Sequence, residues 1–361
     1  MNITSVKRIH QSDWETEGIR FLRARDIVAA AKNEEPEYLY ISRQKYEEYS
    51  ALSGKVAVGD LLVTGVGTIG IPLLIRDLDP VYFKDGNIIW FQNDEKIEGD
   101  FFYYSFVGKT IQGFIKDSAG IGTVGTYTIE SGKKTPIFLP EKSEQRQIGL
   151  FFAALDNLIT LHQREYDKIV NIKKALLEKM FPKNGADRPE VRFAGFTDAW
   201  GQRKLGDVVK VNSGRDYKHL NTGNIPVYGT GGYMLSVDES LSEVDAIGIG
   251  RKGTIDKPQL LSSPFWTVDT LFYMTALYEN DLLFLYALSQ NIQWAKMDES
   301  TGVPSLSKVN IENVDTFIPA VREQSTIGNF FRTLDDVITL HQRELDKLQN
   351  VKKALLVKMF A

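Results

Sequence analysis

Leu161-His162-Gln163-Arg164-Glu165 returns 179 residues later as Leu340-His341-Gln342-Arg343-Glu344. Around it, residues 144–181 match residues 323–360 at 26 of 38 positions. Lys173-Lys174-Ala175-Leu176-Leu177 returns as Lys352-Lys353-Ala354-Leu355-Leu356, and Phe138-Leu139-Pro140 aligns with Phe317-Ile318-Pro319. A match this long is a duplication and sets the architecture before any other reading. Both copies are rich in Leu, Lys, Glu and Gln and hold no internal Pro, which predicts helix. Leu155, His162, Ile169 and Leu176 are spaced by seven, as are Leu334, His341, Leu348 and Leu355. Leu158, Ile172, Val337 and Val351 fill part of a second seam position, and Glu165 and Glu344 interrupt it. The pattern predicts two long helices that pair through a heptad seam. Each would run about 57 Å at 1.5 Å per residue.

His162 and His341 sit at the seam and at the midpoints of their copies. In an antiparallel pair the midpoints meet, so the two His are expected to face each other and help fix register. A metal is not expected with two His and no third ligand in sight. Lys173, Lys174, Lys352 and Lys353 are expected on the outer helix faces.

The segments before the helices are different in kind. Both are rich in Gly, Val, Ile, Tyr and Phe in short runs broken by turns. Strands are predicted within residues 56–75, 81–92, 225–228, 246–249 and 267–274, and short helices within 101–116 and 281–295. Each segment ends in a strand-like run before its Pro. Gly67-Thr68-Ile69 resembles Gly253-Thr254-Ile255, but little else is shared. The order is globule (1–143), helix (144–182), linker and globule (183–322), helix (323–361). The fold class is therefore α+β: two globular domains separated by two long helices that form an antiparallel coiled coil, with a pseudo-two-fold internal repeat.

Composition narrows the function. The 361 residues are 43% apolar and 25% charged, a soluble-protein balance sufficient for two to three domains. There is no Cys, which excludes disulfides, thiol catalysis and Cys-ligated metals. No apolar run reaches eighteen residues and the first twelve are polar, so neither a membrane span nor a secretory signal is expected, and the expected compartment is the cytoplasm. A net charge of −4 argues mildly against nucleic acid, although phosphates answer to a local basic face. GxGxxG occurs at residues 65–70, 120–125 and 248–253, but none is followed by a helix, so tight turns are the better reading. No Walker A, GxSxG or HExxH pattern occurs, and no catalytic residue is predicted.

The second half opens with Arg192-Phe193-Ala194-Gly195-Phe196-Thr197-Asp198-Ala199-Trp200, then Lys204-Leu205-Gly206-Asp207-Val208. With the helix around His341-Gln342-Arg343, this resembles the specificity (S) subunit of type I restriction–modification systems. The resemblance covers essentially the whole chain. It implies a non-catalytic subunit whose two globules are target recognition domains, each reading half of a split, asymmetric site on double-stranded DNA. The helices would space the domains and dock two modification (methyltransferase) subunits, which methylate adenine, with restriction subunits adding translocation and cleavage. No cofactor is expected on this chain; S-adenosylmethionine, ATP and Mg would belong to the complex. A scaffold that holds two globules with no role at DNA is the alternative. One departure stands out. The first half lacks the Trp–Lys-Leu-Gly lead-in and reaches Gly18-Ile19-Arg20-Phe21-Leu22 early, so a lead-in segment is expected to be missing there.

Candidate DNA-contacting residues are cations on turns and loops. Arg251, Lys252 and Thr254 lie on a predicted tight turn, matched by the cation-free Gly65-Val66-Gly67-Thr68. Arg215, Tyr217, Lys218 and His219 mix cations with an aromatic in a polar loop. Lys7, Arg8, Arg20, Arg23 and Arg25 cluster near the start, with Arg23 and Arg25 expected on one side of a strand. Ser118 and Ser305 through Lys308 are weaker candidates.

Overall fold

The repeated segments form the helices Lys142–Lys179 and Val321–Met359. A computed structural model describes residues 1–361 except 33, 120–124, 184, 299 and 361. The chain divides into two units, Met1–His162 with Glu344–Ala361, and Gln163–Arg343. The division falls inside both helices, so each unit holds one globule and half of each helix.

Within each unit the helix halves run antiparallel. In the first, Phe152 meets Phe360, Asp156 pairs with Lys352 at 2.5 Å and His162 Nδ1 lies 3.5 Å from Glu344. In the second, Phe331 meets Phe181 and Asp335 pairs with Lys173 at 2.5 Å. The two ion pairs join the same positions of the duplicated helices. Lys173 and Lys352 therefore lie inward and largely covered, contrary to the outer position expected for them. Lys174 and Lys353 are exposed as expected.

Leu155, Ile169, Leu334 and Leu348 are half-buried along the helices. The second row differs from the expected one. Of the four residues expected there, Leu158, Ile172 and Val351 are exposed and Val337 is half-buried, while Phe152, Ile159, Tyr166 and Lys173 are covered, as are Phe331, Ile338, Leu345 and Lys352. Four residues after 155 is 159, not 158, and the a–d alternation of three and four puts the row there. Tyr and Lys at that row hid it from an apolar pattern.

The two globules share one topology despite their unlike sequences. Among the described residues, the first has a four-stranded antiparallel sheet in the order Asn2–Thr4, Ile88–Gln92, Leu61–Thr64, Pro72–Leu74. The second has Val209–Ser213, Leu271–Ala276, Ala246–Gly250, Gln259–Leu261 in the same order. Each also has a three-stranded sheet whose central strand has one antiparallel and one parallel neighbour. These are Leu39–Ile41, Ile19–Leu22, Val81–Phe83 and Gly232–Val237, Thr222–Gly229, Trp266–Thr267. The cores are built from alternating strand residues such as Leu61, Val63, Ile89 and Phe91 in one, and Ile247, Ile249, Phe272 and Met274 in the other.

Each globule docks on the start of its long helix by the same device. The short helices Gly99–Val107 and Leu282–Asn291 are capped by Glu98 and Asp281. The amide N–H of each capping residue donates to a glutamine of the long helix, Gln145 or Gln324, at 3.1 and 2.9 Å. Both glutamines are 4% exposed or less, and each side-chain amide donates back to the carbonyl of Pro140 or Pro319. One turn on, Gly149 and Gly328 let the cap approach the helix. A Cβ at Gly149 would stand 2.8 Å from the Phe101 nitrogen, and one at Gly328 2.6 Å from that of Phe284.

The units differ at one edge. In the second, Asp315–Ile318 pairs with Gly201–Lys204, and Trp200 is 2% exposed against Phe181 and Phe284. In the first, the matching run 136–139 forms no strand, contrary to expectation, and Phe138 is 73% exposed. A strand needs a partner, and the position held by Gly201–Lys204 in the second unit has no counterpart among the described residues of the first.

Candidate nucleic-acid interface

In the second unit two separated sequence candidates converge. The loop after Val209–Ser213 carries Arg215, Tyr217 and Lys218. The hairpin turn after Ala246–Gly250 carries Arg251, Lys252 and Thr254. Tyr217 and Lys218 line a groove of about 690 Å³ together with residues 229–234 and Val268, Asp269 and Thr270. Arg251 borders it: its amide donates to the Thr270 carbonyl at 2.8 Å, its guanidinium reaches the Asp269 carbonyl at 3.5 Å, and it lies 5.7 Å from the Phe272 ring.

The local sequence explains the placement. Gly253 takes φ +90°, which only glycine adopts without strain, and closes the Arg251–Lys252 turn. The turn is pinned from outside. Gly253 donates to the Pro304 carbonyl, Leu306 donates to the Arg251 carbonyl, and Lys252 bridges Ser305. Asp298 holds that outer loop by accepting from the amides of Ser305 and Ser300, both at 2.9 Å. These hydrogen bonds hold the Asp298 carboxyl below its ordinary value. Arg215 is fixed by its backbone: its amide donates to Thr267 and its carbonyl accepts from the Trp266 indole at 2.9 Å, leaving the side chain exposed. Lys218, Arg251 and Lys252 are exposed, Tyr217 and Thr254 half-covered. His219 stacks edge-on near Trp266. Lys218 and Tyr217 in the groove and Arg251 at its border suit phosphate oxygens and base edges, although Asp216 and Asp269 temper the charge.

The sequence reading missed the opposite wall. Thr230, Tyr233 and Met234 rise from the Gly229-Thr230-Gly231-Gly232 turn, with Tyr233 63% and Met234 49% exposed. The glycine run ahead of Tyr233 was the available signal.

In the first unit the candidates do not gather as expected. Lys7 and Arg8 lie in the loop after the matching strand, Asn2–Thr4, and so correspond to the Arg215–Lys218 loop. The Lys7 ammonium sits 4.1 Å over the Tyr49 ring and Arg8 pairs with Asp85 at 2.8 Å. Arg23 and Arg25 are not on a strand: the strand is Ile19–Leu22 and the helix Ala24–Ala31 starts after Arg23. Arg23 is 8% exposed, with its guanidinium on both oxygens of Asp26 and on Glu37. Asp26 holds its pKa above the ordinary value. That arrangement ties the helix start to the loop before Leu39 and leaves no donor directed at a groove. Arg25, exposed, pairs with Glu37 at 2.5 Å, and Arg20 lies 5.0 Å over the exposed Tyr38 ring. The cation-free turn is built like its counterpart: Gly67 has φ +79° and Val66 bridges Thr126, as Lys252 bridges Ser305. Ser118 donates to the Ile115 carbonyl of its own helix. Ser307 caps the helix Lys308–Glu312 by accepting from Asn310.

The glycine patterns at 65–70 and 248–253 lead into the strands Pro72–Leu74 and Gln259–Leu261, not into helices. Residues 120–124 of the pattern at 120–125 lie outside the described residues, and a helix of five residues, Ile129–Lys133, follows it, contrary to expectation. No described helix is long and apolar enough to cross a membrane.

Two like-built globules, each joined to a shared pair of antiparallel helices, define a duplicated recognition protein. Residues 20–171 and 197–350 both match the type I restriction modification DNA specificity domain, and the chain belongs to that family. It is 21% identical to the type I restriction enzyme MjaVIII specificity subunit of Methanocaldococcus jannaschii, over 95% of this chain and 91% of that one. It is 32% identical over 124 residues to a putative type I restriction enzyme specificity subunit, S.HindORF215P, of Haemophilus influenzae, a match that spans 31% of that protein. Its fold is similar to the crystal structure of the type I restriction–modification S subunit from M. genitalium, with a TM-score of 0.69 and 17% identity over 100% of this chain and 93% of that one.

Proposed function

We propose that the chain is the DNA-reading subunit of a type I restriction–modification complex and that its two globules read the two halves of an asymmetric site. The observation that carries this is the shared strand order of two globules whose surface loops differ. One frame held twice, with different side chains at the reading edge, suits two different half-sites. The second globule reads with Arg215, Tyr217, Lys218, Arg251 and Lys252, and the first with Lys7 and Arg8. Half-sites on one face of a duplex lie about one helical turn apart, or a multiple. The two histidines at the helix midpoints set the register of the pairing. The exposed helix faces dock modification subunits, which bring S-adenosylmethionine, and restriction subunits bring ATP and Mg. The chain itself does no chemistry.

Binding of the full chain to duplex DNA across a salt series tests the reading. The logarithm of the affinity should fall linearly with the logarithm of salt, with a slope of about −0.9 per phosphate neutralised. Absence of binding at low salt, alone and with the modification subunit, would leave the scaffold reading.

A further inference from the structure

In the second globule the strands Thr222–Gly229 and Gly232–Val237 form a hairpin that ends in a two-residue turn. Gly229 pairs with Gly232, and Thr230 and Gly231 lie between them. The register then shifts. Tyr228 faces Tyr233 and Val227 faces Leu235, so Met234 is the extra residue of a β-bulge. A bulge re-aims side chains, and here Tyr233 and Met234 both line the groove that Tyr217 and Lys218 line. The bare Gly229 makes room for the Met234 sulfur: a Cβ at Gly229 would stand 2.8 Å from it.

Two neighbours hold the turn. The Gln259 side-chain amide donates to the carbonyls of Gly229 and Thr230, both at 3.1 Å. A Cβ at Gly253 would lie 3.8 Å from the Thr230 hydroxyl, so the turn that carries Arg251 and Lys252 adjoins this one. The tip therefore has cations on both sides, Lys218 across the groove and Arg251 and Lys252 beside it. The tip itself carries no charge. Tyr233 and Met234 are exposed, and the Tyr233 hydroxyl is hydrogen-bonded to that of Ser236 at 3.1 Å. In the first globule the matching strands, Ile19–Leu22 and Leu39–Ile41, are joined through the helix Ala24–Ala31 instead, so this tip distinguishes the two globules.

We propose, on the reading that this globule binds duplex DNA, that the tip enters the major groove and packs Tyr233 and Met234 against the 5-methyl group of a thymine. The major groove, about 12 Å wide, admits a two-stranded ribbon. Among the base edges displayed there, the thymine methyl is the group that rewards an apolar side chain. The flanking cations take phosphates, which position the ribbon without choosing a base. Base choice at that step of the half-site falls to Tyr233 and Met234, and Gln259 is a positioning residue.

The test uses the full chain with its modification subunit and duplexes carrying the site defined by N6-methyladenine mapping. Uracil replaces each thymine in turn, which removes the 5-methyl group alone. In the native protein one such replacement should weaken binding about fourfold, the value of one methyl group withdrawn from apolar contact. The double variant Y233A/M234A should lose the response at that position. Its salt slope should stay unchanged, since no phosphate contact is removed. If uracil has no effect on the native protein at any thymine, the proposal is overturned while DNA reading stands. The same holds if every response of the native protein persists in the variant. A shallower salt slope in the variant overturns it too, because the tip would then sit on phosphate. A native protein that binds no duplex removes the reading itself, and the proposal with it.

Discussion

Arg23 and Arg25 are two residues apart and do different work. Arg23 is buried on Asp26 and Glu37, so R23A leaves a buried carboxylate unpaired and should cost about 3–5 kcal/mol in denaturant unfolding. R25A removes an exposed pair and should change stability by less than about 1 kcal/mol. Sequence showed the charges but not the fate of Arg23, because burial depends on the helix that Ala24–Ala31 forms after it. Arg251 and Lys252 are the reverse case. Their Gly turn was legible from Arg251-Lys252-Gly253-Thr254, and the structure sets Arg251 at the border of the groove that Tyr217 and Lys218 line. R251A with K252A should leave the unfolding midpoint unchanged. It should weaken DNA binding and reduce the salt slope by about 1 for each phosphate that is no longer neutralised, measured by anisotropy titration. An unchanged slope together with unchanged affinity would remove this turn from the interface.

At the scale of elements, the long helices were the most legible part, because 26 identical positions and a seven-residue spacing leave little else to form. The second seam row was not, since Tyr166 and Lys173 stand where apolar residues were sought. The Lys173–Asp335 and Lys352–Asp156 pairs follow from that row, and Tyr104 adds a 2.7 Å hydrogen bond to Asp156. A double-mutant cycle of D156N and K352M should give a coupling of about 1 kcal/mol in chemical unfolding; additive effects would show that the pair does not hold the helices. Gly149 makes a sharper test of globule docking. A Cβ there has no room beside the cap of Gly99–Val107, whereas Gly113, in the middle of Lys109–Ser118, has open space around it. G149A should lower the melting temperature, and G113A should raise stability by about 0.5–1 kcal/mol through helix propensity.

For the whole molecule, the duplication of helices was plain in the sequence and the duplication of globules was not. Strand order is kept by alternating apolar residues of many kinds, so Asn2–Thr4 can take the place of Val209–Ser213 with no shared residue pattern. The fold holds two globules of one strand order on one pair of long helices. The most direct measurement is the map of N6-methyladenine in a methylation-free host that expresses this chain with its modification subunit. One asymmetric motif of two short blocks separated by a gap of constant length is the expected result. A single uninterrupted block, a symmetric motif, or no methylation from a soluble assembled complex would contradict it.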